Sequence, residues 1–264
     1  MTLVQAAVLG VVQGLTEFLP ISSSAHLLLV PWVMGWKDPG LAFDVALHWG
    51  TLVALAVYFW RDWARLAAGV LRALSERAMN PDALLAAKLA VGTVPAGIAG
   101  VLLEDTADRA LRSPWISACM LALVGIVMWI FDRRAKSGDE NRTPGWGATI
   151  LIGCAQAIAL VPGTSRSGIT MIAGLACGLP RPAAARFSFL LSGPIILAAG
   201  LKKLPGILHG DPATTAVGLV CAALSGGFAI AFLLRYLSRG SFVPFAIYRL
   251  VLAAGVVVLL LVRG

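Results

Sequence analysis

The chain has 264 residues, of which 59% are hydrophobic and 13% charged, with a formal net charge of +8 and a mean hydropathy of +0.86. Such a composition excludes an ordinary soluble domain and describes an all-α polytopic membrane protein. It also argues against a nucleic-acid binder, because the Arg and Lys residues fall in short loops between apolar spans, with no basic run interleaved with aromatics.

The N-terminal stretch has no basic region ahead of its apolar run, so no cleavable signal peptide is expected. Residues 2–35 are apolar but broken by Gln13-Gly-Leu-Thr-Glu-Phe-Leu-Pro-Ile-Ser-Ser-Ser-Ala-His26 and by Pro31. Spans of the ~20 residues that cross a bilayer are predicted over 41–60, 83–103 and 113–131. A second broken segment, 146–180, carries Pro162-Gly-Thr-Ser-Arg-Ser-Gly168, and three more spans follow over 187–204, 213–234 and 243–262. Broken helices at membrane depth are tolerated where the freed backbone is buried in protein or lines a wet cavity, so both broken segments read as re-entrant helical hairpins.

Loop charge sets the orientation. The 61–77 loop with Arg61, Arg65, Arg72 and Arg77, and the 132–145 loop with Arg133, Arg134, Lys136 and Arg142, should be cytoplasmic, as should the loop with Arg235 and Arg239. The stretch Glu104-Asp105-Thr-Ala-Asp108-Arg109-Ala-Leu-Arg112 has no cationic excess and should face outward, while Lys202 and Lys203 run against the pattern. The expected organisation is one membrane domain, 1–264, of two inverted repeats, about 1–131 and 146–264, joined by the cytoplasmic loop 132–145. Gly10-Val-Val-Gln13 matches Gly153-Cys-Ala-Gln156, and Phe18-Leu-Pro20-Ile-Ser-Ser matches Leu160-Val-Pro162-Gly-Thr-Ser after a one-residue shift. Inverted repeats with discontinuous helices place their site near the midplane where the halves meet.

The two polar words hold the chemistry. Gly163, Thr164, Ser165, Ser167 and Gly168 present donors at a helix start around Arg166, and such a start plus a guanidinium suits a phosphate. Gln13 and Glu17 share a helix face. Ser22, Ser23 and Ser24 are placed to cap the next helix, which carries His26 in its first turn. Glu17 at membrane depth needs a partner: Arg166, His26 or a divalent cation. A hydroxyl, an imidazole, a carboxylate and an arginine are the parts of phosphoryl transfer. Cys119, Cys154, Cys177 and Cys221 read as small core residues, His48 as a hydrogen-bonded core histidine and His209 as solvated.

These two words resemble the signature motifs of the bacterial undecaprenyl pyrophosphate phosphatases, the bacitracin-resistance proteins. The likeness extends to Phe43-Asp-Val-Ala-Leu-His-Trp-Gly50 and Arg186-Phe-Ser-Phe-Leu-Leu-Ser-Gly-Pro194. It implies hydrolysis of a C55 isoprenyl pyrophosphate to the monophosphate and inorganic phosphate, which recycles the lipid carrier of cell-wall synthesis. It further implies the bacterial inner membrane, a site open to the outer face, a divalent cation such as Mg2+ or Ca2+, and a homodimer. The family's acidic motif falls on Gln13 and Glu17; many relatives have a second Glu at the position of Gln13, so a metal would rest on Glu17 and the pyrophosphate oxygens. The resemblance leaves the nucleophile to Ser23 or His26, and chemistry favours Ser23 with His26 or Glu17 as base. Arg166 would hold the phosphate. Arg186 stands where relatives often have Glu, and reads as peripheral.

A lipid-phosphate transporter or flippase using the same cationic pocket is the principal rival, because inverted repeats are carrier architecture; a carrier, however, has little use for a nucleophile beside a base. No Gly-x-x-x-x-Gly-Lys-Ser/Thr occurs, which excludes a P-loop enzyme.

Overall fold

A computed structural model describes residues 1–110, 113–135, 137–208 and 210–263, excepting the side chains of 104–110, 206, 208 and 263. Among the described residues the fold is all-helical: α1 Leu3–Phe18, α2 Ser23–Met34, α3 Leu41–Tyr58, α4 Trp60–Glu76, α5 Pro81–Ala110, α6 Pro114–Arg133, α7 Trp146–Ala157, α8 Arg166–Ala176, α9 Arg181–Leu208, α10 Pro212–Leu237 and α11 Val243–Arg263. Six of these, α3, α5, α6, α9, α10 and α11, are long and apolar enough to cross a membrane. The pairs α1–α2 and α7–α8 are not: at about 1.5 Å per residue, each member falls short of a bilayer core about 30 Å thick.

Packing is reciprocal between the two halves. Helix α1 lies on α10 and α7 on α5, while α3 lies on α10 and α9 on α5; α6 meets α11, and α3 meets α9. The first two contacts depend on glycine. A Cβ on Gly10 would stand 2.3 Å from the Gly218 carbonyl oxygen, and one on Gly153 2.4 Å from that of Gly92, so both helix pairs touch backbone to backbone. The turns of the two halves align without the expected one-residue shift, since nine residues separate Gln13 from Ser22 and also Gln156 from Ser165. The main core gathers Phe18, Phe59, Met128, Ile152, Met171, Phe189 and Ile230, with Phe18 and Phe189 edge to face at 5.3 Å.

Three expectations need correction. The basic 61–77 segment is a helix, α4, whose stripe at Leu66 and Gly69 is buried; its charge, too dense for a span, hid its helical period. Arg65 pairs with Asp62 (2.9 Å) and Asp82 (3.0 Å). The fourth span starts at Arg181, ahead of position 187, because Arg181 pairs with Asp132 at 2.5 Å and Arg186 with Asp62. None of the cysteines is buried; Cys119 and Cys154 are exposed, since an apolar residue of a span can face lipid as readily as core. His209, Arg112 and Lys136 lie outside the described residues.

The basic segments converge at one end of the bundle. Asp132 accepts from Arg181 and from the Phe242 amide (3.0 Å), and Arg142 donates to the Gly178 carbonyl (3.4 Å).

Candidate active site

The two interrupted helices end in turns of the same shape. Ser22 (φ 78, ψ 94) caps α2 and Ser165 (φ 71, ψ 111) caps α8, both in a left-handed region that costs a non-glycine residue about 1–3 kcal/mol. Local bonds hold each one there. Ser22 Oγ accepts from the Ala25 amide (3.4 Å) and Ser165 Oγ from the Gly168 amide (3.1 Å). Each also lies 3.2 Å from the hydroxyl two residues on, Ser24 or Ser167. The turns are then sewn together, because Gly163 N–H donates to Ser24 Oγ (3.4 Å) and Ser167 Oγ to the Glu17 carbonyl (3.0 Å).

The residue after each strained serine opens the next helix. In the first half it is Ser23, in the second Arg166, and both reach one carboxylate. Glu17 is only 7% exposed. Its Oε2 accepts from Ser23 Oγ at 2.6 Å and from Gln13 Nε2 at 3.1 Å, and its Oε1 takes the Arg166 guanidinium in an ion pair. Burying this charge is sustainable because a cation and two further donors surround it.

The histidines exchange the standing given them by the sequence. His26 Nδ1–H donates to the Ser22 carbonyl (2.7 Å), and its Nε2 accepts from Tyr248 O–H (2.7 Å), with the two rings stacked. Both nitrogens are spent, and His26 touches neither Ser23 nor Glu17 among these bonds. His48 instead donates through Nδ1–H to the Asp44 carbonyl (2.7 Å) and turns Nε2 to within 3.4 Å of Glu17 Oε2.

A cavity of about 330 Å3 opens beside this group. Glu17, Ser23, Ser24, His48, Ser165 and Arg166 form its polar wall, with Asp44, Gln156 and Lys202, and apolar side chains such as Leu27, Leu28, Val45, Leu160 and Ile195 form the rest. Leu41, Val101 and Lys202 bring in the ends of α3, α5 and α9 that lie remote from the basic end. Lys202, the cation that contradicted the charge pattern, is thus a cavity residue. Gln13 (0% exposed), Ser22, Gly163, Thr164, Ser167 and Gly168 do not line the cavity; they shape the turns and support Glu17. Among the described residues, no three His, Cys, Asp or Glu side chains form a cluster able to hold a metal on their own.

Arg249 was missed by the sequence reading. It is fully buried in α11 and donates to five carbonyls: Pro20 (3.2 Å), Met120 (3.2 Å), Leu121 (3.2 Å), Gly163 (2.7 Å) and Thr164 (3.1 Å). A lone arginine inside an apolar span was its available signal. Tyr248, the partner of His26, carried none.

The family model for bacitracin resistance protein BacA matches residues 6–255. The chain is 48% identical to the undecaprenyl-diphosphatase of Pelotomaculum thermopropionicum, over 100% of this chain and 98% of the relative. It is 49% identical to the undecaprenyl-diphosphatase of Gemmatimonas aurantiaca, over 98% and 97% of the two chains. It is also 49% identical to that of Moorella thermoacetica, over the whole of both.

Proposed function

The chain belongs to the bacitracin resistance protein BacA family, and on that premise we propose that it is an undecaprenyl-diphosphatase, a membrane hydrolase that converts a polyprenyl diphosphate to the monophosphate and inorganic phosphate. The observation that carries the chemistry is the sharing of Glu17, with Ser23 on one oxygen and Arg166 on the other. Glu17 Oε2 accepts the proton of Ser23 Oγ as that oxygen attacks the terminal phosphorus. The bond from that phosphorus to the bridging oxygen breaks, and the lipid monophosphate departs with the bridging oxygen. Arg166 and the N-terminal amides of α8 stabilise the charge on the phosphoryl oxygens. Glu17 passes the Ser23 proton to the departing monophosphate. The regenerated carboxylate then takes a proton from the water that attacks the phosphoserine phosphorus and returns it to Ser23 Oγ as the P–O bond breaks and inorganic phosphate leaves. The general base is Glu17, because His26 is committed to Tyr248. The cavity suits the headgroup and the near end of the chain, leaving the remaining tail to the bilayer.

A divalent cation, Mg2+ or Ca2+, fits the oxygen donors present. It would be held by the Glu17 carboxylate on the cavity wall, with diphosphate oxygens completing the shell. When bound, the ion offsets the charge of the diphosphate.

The reciprocal helix packing, the paired glycine contacts and the matching strained serines support two inverted repeats, 1–131 and 146–264, whose short helix pairs are re-entrant hairpins. With the basic end in the cytoplasm of the inner membrane, the cavity opens to the periplasmic face. A homodimer, implied by the resemblance, is checked by the detergent-corrected mass.

The test is phosphate release from a C15 or C55 diphosphate by detergent-purified protein, with and without chelator. The wild type should turn over and the chelator should stop it. Normal turnover in all of Glu17→Ala, Ser23→Ala and Arg166→Ala would sink the assigned site.

A further inference from the structure

Gln156 lies in the last turn of α7, at the cavity wall. It is 2% exposed, and neither Oε1 nor Nε2 has a hydrogen-bond partner among the described residues. Buried side-chain amides are normally satisfied, so a group left open on both atoms beside a cavity asks for a ligand.

Its counterpart shows why it is open. Gln13 stands nine residues before the strained Ser22, as Gln156 stands nine before Ser165. Gln13 spends its Nε2 on Glu17, four residues further along the helix. Four residues beyond Gln156 the chain has Leu160, whose side chain cannot accept a hydrogen bond. The amide that tethers the base in one half is released in the other, on the wall shared by Glu17, Ser23 and Arg166.

We propose that Gln156 is a substrate-binding residue whose Nε2–H donates to a non-bridging oxygen of the diphosphate, holding the headgroup while Ser23 and Arg166 act on it. The proposal deepens the phosphatase reading and rests on it for the identity of the diphosphate. As a neutral donor outside the reacting group, Gln156 affects binding more than turnover.

The test compares wild type, Gln156→Leu and Gln156→Glu in detergent. With a C15 diphosphate, Gln156→Leu should raise KM about tenfold and leave kcat within about threefold, the loss of a donor to a charged group. Gln156→Glu, which places a like charge against the diphosphate, should raise KM further. The thermal midpoint of Gln156→Leu should equal or exceed that of wild type, because an unsatisfied amide gives way to an apolar group; a fall in midpoint together with a fall in kcat would mark a structural residue and overturn the proposal. Inorganic pyrophosphate supplies an arm independent of turnover, and should raise the midpoint of wild type and not that of Gln156→Leu. Equal shifts in the two proteins, or a wild-type KM in Gln156→Leu, would also overturn it. A wild type that releases no phosphate, yet keeps a pyrophosphate shift that Gln156→Leu loses, would refute the phosphatase reading and leave Gln156 as an anion-binding residue.

Discussion

The turn at Ser22 and the turn at Ser165 share one backbone and divide one task. Each has a serine at positive φ, each caps a helix through that serine, and each carries a second hydroxyl two residues on. They differ at the position that follows, which is Ser23 in the first half and Arg166 in the second. The same local geometry therefore delivers a hydroxyl from one side and a cation from the other to the two oxygens of a single carboxylate. The comparison teaches that one turn geometry can serve two chemical ends, the difference lying in the residue that follows the strained serine. Gln13 and Gln156 repeat the lesson, one tethered to Glu17 and the other left without a side-chain partner among the described residues.

The harshest way to break the pair is to remove what it shares. Glu17→Gln keeps the shape but abolishes the base, and should lower kcat/KM for a C15 diphosphate by about 10^3. Arg166→Lys keeps the charge but loses the planar fork, and should cost about 10^2. A smaller effect for Glu17→Gln than for Arg166→Lys would mean that the shared carboxylate is not the base.

The equivalence of the halves is tested next by Gly10→Ala and Gly153→Ala. Each adds a Cβ within 2.4 Å of a backbone oxygen, where nothing can turn aside, so each should destabilise by about 2 kcal/mol. Comparable falls in detergent melting temperature are expected; a fall in only one would show that the two helix contacts do different jobs. The smallest effect belongs to His26→Ala, which loses bonds to Ser22 and Tyr248 and should reduce kcat less than tenfold. Loss of turnover in His26→Ala with survival in Ser23→Ala would exchange the nucleophile.

Much of the site was legible because polar groups in an apolar chain are conspicuous. Glu17, Ser23 and Arg166 stood out for that reason, and the six spans followed from length and hydropathy. What stayed hidden depended on partners distant in sequence. Nothing in Ser-Ser-Ala-His shows that Ser23 turns to Glu17 while His26 turns to Tyr248, which is 222 residues away. His48 looked like core because its helix is apolar, yet the crossing of α3 beside α1 sets it 3.4 Å from the carboxylate. Gln156 was visible as a match to Gln13, but its open amide appears only once Leu160 and the cavity are placed around it. Helix α4 escaped notice because its arginines were counted as loop charge and its apolar stripe of Leu66 and Gly69 was not.

Arg249 bears on how the protein handles its lipid. From α11 it reaches carbonyls of the first half at Pro20, Met120 and Leu121 and of the second at Gly163 and Thr164. A carrier that alternates between faces must let its halves rock apart around the substrate. Here that stroke would break the three bonds to the first half, each worth about 1.5–3 kcal/mol. Arg249 thus ties the two halves together beside the turns, an arrangement that suits a fixed hydrolytic site better than a rocking carrier.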